Sequence, residues 1–273
     1  GTIIDKKNLK QKEINFKNYT VFGFLFIILV MLPFIYFFWN IKQEAFQLKN
    51  ILIFAAVIIS STLANLLICY SLKREKICEI EPIKLMQPLF TVLLAFIFSF
   101  FFQEYYSEKN YLIIVLALIA GFSLIFSHIK KEHLVYNKYL IAALIGSFLF
   151  ALELVISKSI LSYYSSFTFY FIRCFFVFII IFLIFHPKIN SIKNKTKFYM
   201  IIVSIIWIIY RIVLYQGYLV YGIVFTTILF ILAPIFIYLF ARIFLKEKLT
   251  LRNMISAAII LACVILAVII KNQ

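Results

Sequence analysis

Nine apolar runs separated by short charged breaks organise the chain, at residues 19–39, 51–72, 82–102, 111–127, 139–157, 167–185, 198–218, 223–245 and 251–270. As helices, runs of about 20 apolar residues cross a bilayer's hydrocarbon core. Spanning strands would instead alternate apolar and polar positions over about 10 residues and close into a barrel. These runs do not alternate, so the pattern predicts an all-α integral membrane protein with tight connections. Residues 1–18 are polar and lysine-rich and lack the apolar stretch of a signal peptide.

Composition agrees: 65% of the 273 residues are hydrophobic and 14% charged. Soluble domains are about half apolar and a quarter charged. A water-soluble enzyme, a nucleic-acid module and a disordered chain are excluded. The net charge of +16 becomes an orientation signal once its positions are tallied, because 19 of the 27 Lys and Arg fall in alternate connections (1–18, 73–84, 128–138, 186–197, 246–252). The intervening set holds five: Lys42, Lys49, Lys109, Lys158 and Lys271. The positive-inside rule places the first set, with Ser191, in the cytosol. Cys69, Cys78, Cys174 and Cys263 form no C-x-x-C pair and read as packed small apolar residues. His128, His133 and His186 fall in polar connections, as solvated surface residues, so no metal site or cofactor is expected.

Self-comparison reveals an internal repeat. Ser71-Leu72 stands before Pro88 as Gly217-Tyr218 stands before Pro234, at a constant offset of 146 residues. Both prolines open similar stretches, PLFTVLLAF and PIFIYLFAR, leading to Glu104 and Glu247. At an offset of 152, IDKKNL (4–9) aligns with ISKSIL (156–161). The chain's first residues thus correspond to the end of the fifth run. The expected architecture is two inverted five-helix repeats, a ten-helix bundle whose first helix is absent from this chain, leaving nine spans, either because it precedes residue 1 or because the protein works with nine; the halves are 1–132 and 133–273. Five is odd, so the halves take opposite orientations, as in secondary transporters with a substrate site between repeats.

YSLKREKICEIEPIKLMQPLFTVLLAFIFSFFFQE and GYLVYGIVFTTILFILAPIFIYLFARIFLKEKLTLRNMISAAIILACVIL resemble the two copies of the EamA repeat of the drug/metabolite transporter superfamily. GSFLFALELVISKSIL followed by FYFIRCFF resembles the opening helix pair of that repeat, including its arginine, Arg173. The resemblance implies a carrier of small metabolites or amphipathic drugs; members of the family keep both termini of the ten-helix protein in the cytosol, which would put the lysine-rich set of connections outside, the reverse of the charge tally. The chain departs from the family at Glu79, Glu81 and Lys84, and carries three extra residues between Pro88 and Glu104.

Ionisable groups within spans are costly, roughly 2.5–3.5 kcal/mol at a helix centre, and mark candidate sites. Glu153 lies deep in the fifth run on a stripe with Gly146, Phe150 and Ser157; Ser204, Trp207, Arg211 and Tyr215 share a face of the seventh. Asn65 matches Arg211 at the offset of 146. One reading makes Asn65, Gln87, Glu153, Tyr210, Arg211, Tyr215, Gln216 and Thr227 the lining of a central cavity. Glu153 and Arg211 would there hold the two ends of a zwitterion or exchange a coupling proton. The other makes Glu153 and Arg211 a packing pair. Glu79, Glu81 and Lys84 read as a solvated interfacial cluster or as an ion gate. Pro88 and Pro234 are expected to kink their helices, and Arg173, Arg242 and Lys158 to snorkel from span ends. Thr91 and Thr226-Thr227 offer hydroxyls to a substrate or to the backbone.

Transport of a small-molecule substrate is the leading function, with membrane lipid as surroundings and no nucleic-acid partner. The chain has no G-x-x-x-x-G-K-[ST] and only six glycines, so a gradient must supply energy. A passive channel or structural membrane protein is the alternative. An intramembrane enzyme is disfavoured by the single aspartate, Asp5, and by the lack of a histidine within any span.

Overall fold

The computed structural model describes residues 2–9, 15–75, 77–128, 137–187, 194–233 and 251–271. Its α-helices are α1 (Thr2–Leu9), α2 (Phe16–Phe38), α3 (Leu48–Arg74), α4 (Ile77–Lys84), α5 (Gln87–Phe101), α6 (Tyr111–His128), α7 (Lys138–Leu161), α8 (Ser166–Phe185), α9 (Asn194–Val220), α10 (Ile223–Phe230) and α11 (Leu251–Lys271). Short 3-10 turns occupy Gln43–Phe46 and Gln103–Glu108. Seven helices among the described residues are long and apolar enough to span a membrane, and Tyr111–Ser127 is a shorter apolar helix. The eighth run is described only as far as residue 233.

Helix starts follow the sequence. The Asn137 side chain accepts from the backbone N–H groups of Tyr139 and Leu140, and Ser165 accepts from that of Thr168, satisfying donors with no partner within the helix. The third run departs from expectation: it is two helices, α4 and α5, separated by a turn at Leu85-Met86. Pro88 sits in the first turn of α5, where its missing N–H costs nothing. Its ring excludes a helical carbonyl four residues earlier, and α4 ends there, at Lys84. The expected kink is therefore a break. α10 likewise ends at Phe230, four residues before Pro234, in a turn at Ile231-Leu232. α4 and α10 each have 8 residues and α3 and α9 each have 27, and within both pairs the starts lie 146 residues apart.

Described residues of each set of connections bond to one another. At the lysine-poor end, Lys42 N–H donates to Tyr163 O (2.8 Å) and Ser165 N–H to Asn40 O (3.1 Å). At the lysine-rich end, Asn137 Nδ2 donates to Glu75 Oε1 (2.9 Å). α6 and α11 are tied by Ser123 and Ser256, whose hydroxyls lie 3.1 Å apart, while Ser256 Oγ donates to Ser123 O (2.8 Å).

The most extensive helix contact joins α3 to α7. Gly146 makes the close approach possible, because a Cβ there would lie 3.0 Å from Ile68 Cγ1 and 3.3 Å from Ala64 O. Gly146→Leu is expected to force α3 and α7 apart and destabilise the bundle by about 1–3 kcal/mol. Thermal unfolding in detergent reads this, and an unchanged midpoint would refute the assigned contact.

Candidate functional site

Three helices bring their ionisable groups together inside the bundle. Glu153 of α7 is fully buried (0% exposed) and Arg173 of α8 nearly so (2%). Arg173 Nη1 donates to Glu153 Oε1 at 2.7 Å, and Arg211 Nη1 of α9 donates to Oε2 at 2.9 Å. The Tyr215 hydroxyl, one turn beyond Arg211, donates to Oε1 at 2.8 Å. A carboxylate offers about four acceptor positions, so three charge-assisted or hydroxyl donors nearly saturate it. The guanidinium of Arg173 lies over the Tyr170 ring at 4.8 Å, and that of Arg211 over Phe150 at 5.6 Å. One acid against two arginines leaves the cluster with one positive charge in excess.

Depth follows from helix rise. Glu153 lies eight residues before the end of α7, Arg173 seven beyond the start of α8, and Arg211 nine before the end of α9. At 1.5 Å per residue the three groups sit about 10–13 Å in from the lysine-poor end. Arg173 therefore does not snorkel, contrary to expectation. Its seven-residue distance from a capped helix start already placed it too deep, and that was the signal available in the sequence. Lys158 also stays inside, 13% exposed and paired to Glu108 Oε1 at 2.8 Å.

Aromatic side chains pack around the cluster. Toward the lysine-poor end, Phe169 packs edge-on to Tyr215 (5.2 Å) and to Phe54 (5.3 Å), and Tyr164 stacks on Phe54 (5.8 Å). Beside the cluster, Trp207, one helical turn deeper than Arg211, meets Tyr210 (5.7 Å), which meets Phe230 (5.3 Å) at about the depth of Arg173. Trp207 Nε1 donates to Asp5 Oδ2 at 3.4 Å, and the Tyr19 hydroxyl donates to Asp5 Oδ1 at 2.5 Å.

Of the residues expected to line a cavity, Glu153, Arg211 and Tyr215 converge, and half-buried Tyr210 joins the aromatic layer beside them. Asn65 donates within its own helix, to Ser61 O at 2.7 Å. Half-buried Gln87 opens α5, where its carbonyl accepts from the Thr91 hydroxyl (2.9 Å). Thr91 thus serves the backbone. Thr227 is buried on α10. Gln216 departs from a cavity-lining position: it is exposed and accepts from Ser166 Oγ (3.2 Å), because one residue past Tyr215 the helix has turned away from Glu153. The side chains of Glu79 and Glu81, and Arg242 and Pro234, lie outside the described residues. Among those described, no three His, Cys, Asp or Glu residues group as metal ligands.

A second buried acid was not visible in sequence. Glu108, in the connection between α5 and α6, accepts from the backbone N–H groups of Ile223 (2.7 Å) and Val224 (2.9 Å) and pairs with Lys158. It caps the start of α10, where a carboxylate is favoured by the unpaired N–H groups and the helix dipole. Gly222, at φ 91°, permits the approach, since a Cβ there would lie 2.8 Å from Glu108 Oε1. Nearby, burial pushes the Tyr105 phenol up, keeping it protonated to donate to Val155 O at 2.7 Å.

Residues 137–269 match the model of the EamA-like transporter family. No curated protein matches the chain. A solved structure described only as "Crystal structure of protein" is similar at 12% identity and a TM-score of 0.68, over 100% of this chain and 96% of that one. That likeness shows a shared fold.

Proposed function

Starting from a multi-pass membrane chain that belongs, through residues 137–269, to the EamA-like transporter family, we propose that it is a secondary carrier. It moves a small solute by alternating access between two inverted halves. The observation that carries this reading is the enclosed cluster of Glu153, Arg173, Arg211 and Tyr215. Buried charge is expensive in a bilayer and is kept where it acts on a solute. The matching lengths of α3 and α9 and of α4 and α10 support two related halves, residues 1–132 and 133–273.

In this cycle the two aromatic layers act as gates. Parting Phe54, Tyr164 and Phe169 opens the cluster to the lysine-poor side; parting Trp207 from Tyr210 opens it to the other. Rocking of the halves parts one layer while the other stays packed, so the solute never meets a continuous pore. Glu153 is the shared anchor: a solute that takes over one of its donors, or donates to it, changes the ties among α7, α8 and α9. A gradient of the solute, or of a coupling proton, supplies the energy.

Counterflow in proteoliposomes with a metabolite panel tests the reading. A carrier gives saturable uptake stimulated by solute on the opposite side. Flux that rises without saturation and ignores the trans solute would show a channel instead.

A further inference from the structure

We propose that the solute is a small organic anion carrying one net negative charge, a carboxylate or a comparable oxyanion, and that Arg173 and Arg211 select it. The inference rests on the carrier reading above and specifies the solute at the same site.

The charge inventory comes first. Eleven acids occur in the chain, and among the described residues Glu153 alone lies deep within one of the long spans. Its single negative charge faces the two positive charges of Arg173 and Arg211, at 2.7 and 2.9 Å. Asp5 is engaged elsewhere, accepting from Tyr19 and Trp207. A cluster closed off from water with one cation in excess is completed by one anion, in a medium where unpaired charge is costly.

Hydrogen-bond capacity points the same way. Glu153 already accepts from Arg173, Arg211 and Tyr215, leaving little to offer an ammonium group. The unused capacity is on the donor side. Among the described residues, Arg173 Nε–H is buried with no hydrogen-bond partner, on a side chain 2% exposed. Its Nη2 reaches Cys174 Sγ, at 3.8 Å. A planar guanidinium with a free edge matches the paired oxygens of a carboxylate. The ring of Tyr170 beside Arg173, and those of Phe150 and Tyr215 beside Arg211, bring apolar surface to the cluster, suited to the solute's carbon skeleton. A zwitterion would bring the same carboxylate with an ammonium that finds no free acid among the described residues of the cluster. The ability of Glu153 and Arg211 to hold both ends of a zwitterion, expected from sequence, is removed once Arg173 joins them.

The test is counterflow of radiolabelled probes into proteoliposomes of the wild-type protein: pyruvate and benzoate as single anions, alanine and phenylalanine as zwitterions, and choline as a cation. Saturable, trans-stimulated uptake of pyruvate or benzoate, at least about tenfold above the zwitterions and choline, is the expected result. Preference for a zwitterion or for choline would overturn the anion assignment while leaving a carrier. Absence of trans-stimulated flux for every probe would overturn the carrier reading with it. A charge series separates selection from folding. Arg173→Gln brings the cluster to neutrality and is expected to cut anion exchange at least tenfold, whereas Glu153→Gln combined with Arg173→Gln restores the excess charge and recovers part of it. A double variant no better than Arg173→Gln alone would show that excess charge does not select the solute.

Discussion

Glu153→Gln is expected to abolish solute exchange while the protein still inserts into the membrane. Gln keeps the shape of Glu but offers one acceptor oxygen, and its NH2 group turns a donor toward a guanidinium that has only donors. Arg173 and Arg211 then face each other across a neutral side chain at the depth where Glu153 now joins them. Two like charges without a counter-charge in a water-poor interior oppose the close packing of α7, α8 and α9, and the cluster then carries two excess positive charges where one solute anion brings a single negative one. Arg211→Ala is expected to give the same loss from the other side, leaving Glu153 with Arg173 and no excess charge. Counterflow on the reconstituted variants, alongside a size-exclusion profile showing a monodisperse protein, provides the readout. Exchange at the wild-type rate in both variants would remove the cluster from the transport site.

Glu108→Ala is expected to have the largest effect on stability. The substitution strips the carboxylate from Lys158, 13% exposed, and from the N–H groups of Ile223 and Val224. Removing one partner of a buried pair costs about 3–5 kcal/mol, because the remaining charge stays desolvated. Glu108→Gln keeps an acceptor for one of the two N–H groups and is expected to cost less. Unfolding midpoints of the two variants in detergent measure the order, and equal midpoints for Glu108→Ala and wild type would dismiss the cap. The loss falls at the lysine-poor end, so proteolysis near residues 221–222 should rise in parallel.

Hydropathy alone carried the fold class, because spans of about 20 apolar residues have few alternatives in a bilayer. It was less able to locate breaks within a span. The third run reads as one helix by composition, and only Pro88's exclusion of the carbonyl four residues earlier divides it at Lys84. At the site, Glu153, Arg211 and Tyr215 were legible because ionisable groups within apolar runs are few and because Arg211 and Tyr215 share a helical face. Arg173 was misplaced by its position near a run's end, although counting residues from the helix start gives its true depth. Gln216 shows the opposite limit: polarity suggested the interior, but one residue's rotation carried it to the outside. Glu108 resembled any solvated loop glutamate. Its partners lie 50 residues away at Lys158 and 115 and 116 away at α10, and such long-range pairing leaves no local pattern.

Glu153's carboxylate is held jointly by groups on two other helices. For descent with modification this makes Glu153, Arg173, Arg211 and Tyr215 one heritable unit, because contacting residues in a single network do not contribute additively. A lineage that alters one of the four must pass through a poorly functioning intermediate or change a second position at once. Changes of solute among relatives should accordingly arrive as linked replacements across α7, α8 and α9, while the aromatic layers around them drift singly.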